Sequence, residues 1–315
     1  MKVGLLCGRE YSFPPAFIDR VNAAGAAHGI TAEMVSLTGT RMGDGSGYRV
    51  IVDRISHEVE YYRAFLKHAV LEGTYIINNP FWWTADDKFF NYAVAQRLGV
   101  AVPKTVVLPQ KSYPADVDIT SESLRNLGYP IDWDGMLDYV GRPAILKPYS
   151  GGGWKHVYKV RNKEELLAAY DHTGPYCMTL QQFINFDKYV RCFTFGKTDI
   201  TPVRYDVTER RYLVEHEYLD SDIGARIVRD AQTLNKALGY EMNTIEFAVQ
   251  DGVPYAIDFL NPAPDFERDR ITPHYFELVL EKMTNLVIDR ALSGKPSQSW
   301  PRWTQMTGLS DGGPI

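Results

Sequence analysis

Ala144-Ile145-Leu146-Lys147-Pro148-Tyr149-Ser150-Gly151-Gly152-Gly153-Trp154-Lys155-His156-Val157 runs from an apolar stretch into a lysine, then through a glycine loop to a second lysine. Glycines let backbone N–H groups approach phosphate oxygens with no Cβ in the way, and fixed ammonium groups neutralise the charge of a phosphoryl in transfer. The stretch therefore reads as strand, phosphate clamp and strand, with Lys147, Ser150, Gly151, Gly152, Gly153 and Lys155 as the clamp. A glycine-rich hairpin between two surface lysines has the same composition. What favours the clamp is the apolar strand running directly into Lys147.

Downstream, Thr179-Leu180-Gln181-Gln182-Phe183-Ile184 reads as a strand that would serve equally as an ordinary core element. In Asp187-Lys188-Tyr189-Val190-Arg191-Cys192-Phe193-Thr194-Phe195-Gly196, alternation puts Arg191, Phe193 and Phe195 on one face. Arg191 there is either a functional cation or the partner of a nearby carboxylate. Asn243-Thr244-Ile245-Glu246-Phe247-Ala248 and Tyr255-Ala256-Ile257-Asp258-Phe259-Leu260-Asn261-Pro262 read as two strands joined by a turn at Asp251-Gly252. The hard oxygens of Glu246, Asp258 and Asn261 would then emerge at one end of a sheet. Magnesium suits such a place, since it binds through one or two carboxylates plus the phosphates of its substrate. Lys88 stands in the first turn of a helix read from a capping-box start at Thr84 to a stop at Gly99. A cation is unfavourable at that end of the helix dipole unless an anion meets it.

Taken in order, these segments resemble the ATP-grasp superfamily, and within it carboxylate-amine ligases of the glutathione synthetase and glutamate-ligase type. In that family a strand ending in Lys-Pro or Lys-Ala leads into a loop that covers the ATP phosphates, matching Lys147 and the loop after it. The resemblance makes Gln181, Gln182, Phe183 and Ile184 the hinge that holds adenine through backbone hydrogen bonds, with glutamine where glutamate is usual. It directs Lys88 to the phosphates, gives Arg191 and Lys155 the catalytic roles, and makes Glu246, Asp258 and Asn261 the metal ligands. The family writes its second strand as Glu/Asp-x-Asn, whereas this chain has Asp-x-x-Asn. The added residue reverses side-chain alternation unless a bulge restores it.

The implied architecture is α/β: a Rossmann-like domain over residues 1–84, then an ATP-grasp fold over 85–292 whose two α+β subdomains, divided near 180, grip ATP. Residues 293–315 form a tail in which Trp300 and Trp303 suggest docking on the body. The implied ligands are ATP and Mg2+, with Mn2+ as a substitute, and the implied substrates are a small-molecule carboxylate and an amine. They would join as an amide through an acylphosphate, releasing ADP and phosphate. The resemblance admits a homodimer. It also leaves open a small-molecule kinase and a nucleotide-binding module without turnover.

Composition agrees with a packed protein of more than one unit, at 315 residues with 45% hydrophobic and 13% aromatic content. A net charge of −5 without a basic block argues against nucleic acid as a partner, and no apolar run is long enough to span a bilayer. Cys7, Cys177 and Cys192 are odd in number and fit no zinc spacing, so a reducing cytoplasm is expected. The residues after the first strand, Gly8-Arg9-Glu10-Tyr11-Ser12, lack the G-x-G-x-x-G of a dinucleotide oxidoreductase. Gly43-Asp44-Gly45-Ser46-Gly47 lacks a P-loop ending and reads as a surface turn.

The stretch 110–141 is long for a connection and is expected to carry one helix near 121–127. A last amphipathic helix is expected over about 274–292. Arg204, His156, Asp265 and Glu267 lie near the motifs, and for each a substrate contact and a structural pairing stand as alternatives.

Overall fold

The computed structural model describes residues 1–83, 87–150, 155–214 and 218–295. Gly151, Gly152, Gly153, the capping start at Thr84 and the tail with Trp300 and Trp303 lie outside the described residues. The chain divides into two compact units, Met1–Ala85 with Asp187–Ile315, and Asp86–Phe186.

The first unit opens with β1 (Lys2–Leu6), α1 (Phe13–Gly25), β2 (Thr31–Met34), β3 (Val50–Asp53), α2 (Glu60–Leu71), β4 (Tyr75–Ile77) and the short α3 (Pro80–Trp83). The four strands form a parallel sheet in the order β2-β1-β3-β4. Its central strands are apolar at successive positions because both faces are covered. Val3, Leu5, Val50 and Val52 pack with Phe13 and Phe17 of α1, and Leu6, Ile51 and Ile76 pack with Phe65 and Leu66 of α2.

The second unit holds α4 (Lys88–Arg97), β5 (Thr105–Leu108), α5 (Trp133–Val140), β6 (Ala144–Pro148), β7 (Tyr158–Val160), α6 (Lys163–Asp171) and β8 (Met178–Gln182). Its antiparallel sheet runs β5-β8-β6-β7. Leu108, Leu146, Met178 and Leu180 bury one face against Leu137 and Val140 of α5 and Leu166 of α6. Alternation leaves Thr105, Ile145, Lys147, Lys159, Thr179 and Gln181 on the other face.

The chain then returns to the first unit with β9 (Lys188–Phe195), β10 (Asp199–Asp206), β11 (Arg211–Leu213), α7 (Ser221–Leu238), β12 (Met242–Gln250), β13 (Val253–Asp258) and α8 (Arg268–Ser293). These strands make an antiparallel sheet in the order β11-β10-β9-β12-β13. Asp251 and Gly252 turn between β12 and β13 with φ of 52° and 73°, the doubly positive geometry that suits a twisted hairpin. Phe193, Phe195 and Met242 of this sheet share a core with Phe13 and Phe17 of α1 and with Tyr275, Val279, Met283 and Val287 of α8.

Several local expectations are corrected. Residues 121–127 form turns rather than a helix. Leu124 and Leu127 are only half-buried there, and a helix of two turns without a packed face does not sustain itself. The helix of this stretch is α5, where Asp132 accepts the Gly135 N–H at 2.9 Å and Leu137 and Val140 reach the core. The N-cap of α4 is Asp87, which accepts the Phe90 N–H at 2.7 Å. The last helix keeps close to the expected bounds after a break at Thr272, whose φ is 72° ahead of Pro273; a short helical turn from Arg268 precedes the break.

Glu267 is a structural residue. Its carboxylate accepts the N–H groups of Tyr11, Ser12 and Phe13 at 3.2, 2.8 and 3.3 Å and the Ser12 hydroxyl at 2.7 Å, satisfying the start of α1.

Candidate functional site

In the first unit three charged residues stand in a row across adjacent strands. Arg191 on β9 is the register partner of Glu246 on β12, and Glu246 is in turn the partner of Asp258 on β13. The second pairing depends on a bulge. Phe247 opposes Ala256 but Glu246 opposes Asp258, so Ile257 is the extra residue that brings the second acid onto the face of the first. This bulge lies before Asp258 and leaves the Asp-x-x-Asn spacing as it is; residues 259–261 lie past the end of β13, where strand alternation no longer applies.

Arg191 reaches Glu246 Oε1 at 2.5 Å, and the Tyr189 hydroxyl donates to Glu246 Oε2. The guanidinium lies 3.8 Å from the Tyr205 ring centroid and donates to the Tyr212 hydroxyl at 3.3 Å. Its Nε–H is buried with no hydrogen-bond partner among the described residues.

Electrostatics follow from this crowding. Burial pushes the Glu246 carboxyl up, Arg191 pulls it down, and the Asp258 charge adds to the upward push. Burial opposes the Arg191 charge, but Glu246 and Tyr212 outweigh it and hold the guanidinium firmly protonated. Burial, and then the Glu246 charge, push the Tyr189 hydroxyl well up. Two carboxylates meeting across strands in a half-buried place repel each other, and a divalent cation relieves that cost. Among the described residues no three His, Cys, Asp or Glu side chains gather as a closed cage. The open pair fits magnesium, which keeps part of its shell for water and phosphate.

Asn261 lies past the end of β13, half-buried, with its backbone N–H donated to Asn243 Oδ1 at 3.0 Å.

The second unit gathers the remaining candidates. Lys147 Nζ is 3.0 Å from the Tyr92 hydroxyl of α4, and the Lys88 N–H donates to the Tyr149 carbonyl at 3.2 Å, which joins the start of α4 to the strand before the glycine loop. Ser150 and Lys155, at the described margins of that loop, are both exposed. Gln181 donates to the Thr105 hydroxyl at 2.8 Å and Gln182 Oε1 accepts the Lys104 N–H at 3.2 Å, so both side chains are engaged with the start of β5. The strand ends at Gln182, which places Phe183 and the buried Ile184 just beyond the sheet. Lys159 Nζ sits 3.7 Å from the Phe183 ring centroid. His156 leans on the Tyr176 ring, centroids 4.7 Å apart, and Asp265 accepts the Glu267 N–H at 3.0 Å.

Tyr189, Tyr205 and Tyr212 around Arg191, and Asn243 behind Asn261, escaped the sequence reading. Alternate tyrosines facing an arginine strand were the available signal for the first three. An asparagine inside the apolar run before Glu246 was the signal for the last.

No protein-family model matches the chain. D-alanine–D-alanine ligase A of Bacillus cereus is 24% identical over 172 residues, 50% of this chain and 57% of that relative, so the two compare over little more than half of the relative's length. The RimK domain ATP-grasp protein of Sphaerobacter thermophilus superposes with a TM-score of 0.64 at 17% identity, covering 93% of this chain and 100% of that one. The D-alanine–D-alanine ligase of Bacillus anthracis, solved with ATP, gives 0.61 at 16% identity over 93% and 98%. ATP-grasp ligase PsnB, solved with a minimal precursor, Mg and ADP, gives 0.60 at 14% identity over 93% and 97%.

The chain is a mixed α/β protein with the ATP-grasp fold. No helix among the described residues is long and apolar enough to cross a membrane.

Proposed function

We propose that this protein is an ATP-dependent ligase that joins a carboxylate to an amine. The observation that carries the reading is the row Arg191, Glu246 and Asp258 across three strands. Sequence similarity to a D-alanine–D-alanine ligase and structural similarity to ATP-grasp ligase PsnB support it.

In this reading a substrate carboxylate oxygen attacks the γ-phosphorus of ATP, the bond to the β,γ-bridging oxygen breaks, and ADP departs. The amine nitrogen then attacks the acyl carbon of the acylphosphate, inorganic phosphate leaves, and the nitrogen gives up its proton. Such chemistry rests on positioning and charge neutralisation. Lys147 and Lys88, with Lys155 and the glycines 151–153, hold the phosphates. The backbone of residues 181–184 takes the adenine. Arg191, kept cationic by its surroundings, steadies the transferring oxygens. Glu246 and Asp258, with Asn261, hold magnesium or manganese, which supplies neutralisation of the polyphosphate charge when bound.

The test is release of ADP and phosphate with magnesium and ATP across a panel of amino acids, peptides and hydroxy acids, with Glu246→Ala as control. Turnover that depends on a carboxylate and an amine and vanishes in Glu246→Ala upholds the reading. A background equal in every well and unchanged by that substitution overturns it. Phosphate retained on a hydroxyl product would assign a kinase instead.

A further inference from the structure

The chain leaving β13 forms no strand over residues 259–264, yet three buried polar side chains hold its backbone. Asn243, on β12, donates to the Phe259 carbonyl at 2.9 Å and accepts the Asn261 N–H at 3.0 Å. Asn78, just after β4, donates to the Pro262 carbonyl at 3.2 Å. Arg54, just after β3, donates to the Pro264 carbonyl. Asn243, Asn78 and Arg54 are 1%, 3% and 4% exposed.

Each of the three is itself fixed. Asn243 also donates to Asn235 at 3.0 Å. Asn78 Oδ1 accepts the N–H groups of Glu241 and Met242 at 2.7 and 2.9 Å, and its amide donates to the Met242 carbonyl at 2.6 Å. The Arg54 guanidinium pairs with Glu10 at 2.6 Å between the rings of Phe13 and Phe266, 4.9 and 4.6 Å from their centroids. Desolvating three such groups is costly unless their bonds are made, and here they are spent on a segment with no ladder of its own. The residues this segment fixes in place are Asp258 at its entry and Asn261 at its centre.

We propose that Asn243, with Asn78 and Arg54 as outer supports, is a positioning residue that sets the place of Asp258 and Asn261 for a divalent cation. The inference rests on the metal reading given above. Groups that orient ligands from behind contribute about 10-fold or more to metal affinity. Asn243 makes two of the four bonds and flanks Asn261 directly, so it carries the largest share.

The experiment follows Mn2+ with a non-hydrolysable ATP analogue and the full-length protein, by loss of the free-ion electron paramagnetic resonance signal beyond that caused by the analogue alone. Asn243→Ala is expected to weaken Mn2+ binding about 10-fold. Arg54→Lys keeps a cation beside Glu10 but has no fork to reach the Pro264 carbonyl as well, and is expected to weaken it about threefold. Asn22→Ala removes a comparable pair of hydrogen bonds, one donated to and one accepted from the Ala32 backbone elsewhere in the unit, and is expected to lower the thermal midpoint without moving Mn2+ affinity.

If Glu246→Gln and Asp258→Asn lose Mn2+ while Asn243→Ala keeps it, the positioning inference alone is overturned. If those two carboxylate variants bind as the parent does, the metal reading fails and the inference falls with it. Should Asn243→Ala not fold, unchanged affinity in Arg54→Lys overturns the inference by itself.

Discussion

Arg191 and Glu246 are direct cross-strand partners whose side chains meet at 2.5 Å, each about one fifth exposed. Removing one member of so enclosed a pair strands the other charge, whereas removing both removes the problem. Arg191→Ala is therefore expected to destabilise the protein by about 3 kcal/mol in urea unfolding. Arg191→Met combined with Glu246→Leu is expected to recover most of that loss while leaving turnover abolished. A double variant no more stable than Arg191→Ala would show that the pair is not the origin of the cost.

Gly239 ends α7 with a φ of 78°, and a Cβ built on it would fall 1.2 Å from a carbon of the Trp82 ring. Gly239→Ala thus meets both backbone strain and a rigid aromatic plane, at a combined cost of about 3 kcal/mol. Adding Trp82→Ala removes the collision but not the strain. Chemical denaturation of the two single variants and the double is expected to show non-additivity, with the double less destabilised than the sum of the singles. Strict additivity would mean that the ring moves aside without cost.

The parts that were legible in the sequence are those whose signal is local. An apolar run ending in Lys147, and an Asp251-Gly252 turn between two apolar strands, carry their geometry within a few residues. The pairing of Arg191 with Glu246 joins positions in separate segments, and only the strand register settles which arginine meets which acid. The bulge at Ile257 was illegible, because it depends on how β13 pairs with β12 and not on any residue of the Asp258–Asn261 spacing. Arg54 was illegible, since its carbonyl partner, Pro264, lies 210 positions away and burial of a cation is read from sequence as improbable. The helix expected over 121–127 failed for the opposite reason: its local pattern was adequate, but the structure gives it no face to bury.

The three thiols are all held protonated. Burial, then the Glu10 carboxylate, push the Cys7 thiol from the ordinary 9.0 up to about 11, with Arg54 pulling the other way. Burial raises Cys192, and burial followed by Asp87 raises Cys177. At pH 7.5 the Cys7 thiolate fraction is then about 100-fold below that of an ordinary cysteine, and alkylation of the native protein by iodoacetamide is expected to be slowed accordingly. The sign for stability follows from the raised value. The folded chain binds this proton more tightly than the unfolded chain, so the Cys7 contribution is fully present below pH 9 and lost as pH climbs towards 11. Cys7→Ala is expected to flatten that part of the stability profile. An unchanged slope between pH 9 and 11 would remove Cys7 as its cause.

Lys147 leaves β6 with its ammonium 3.0 Å from the Tyr92 hydroxyl and 5.4 Å from the centre of that ring. The tyrosine is a neutral partner that holds the ammonium by a hydrogen bond and does not itself cancel its charge. In the proposed reaction the charge, not the hydrogen bond, does most of the binding. Lys147→Met is accordingly expected to weaken binding of a magnesium–ATP analogue at least about 10-fold by calorimetry, with little change in the thermal midpoint because the methionine keeps the apolar stem. Tyr92→Phe keeps the ring and loses only the hydroxyl, and is expected to cost less than about threefold, the lower end of the net worth of one hydrogen bond, because the hydroxyl does not itself touch the nucleotide. The order of the two effects is the point. If Tyr92→Phe weakens the nucleotide as much as Lys147→Met does, the lysine depends on the tyrosine for its placement and acts as one half of a pair. If neither does, Lys147 is a surface lysine at the end of a strand, and the phosphate clamp must be sought elsewhere on this sheet.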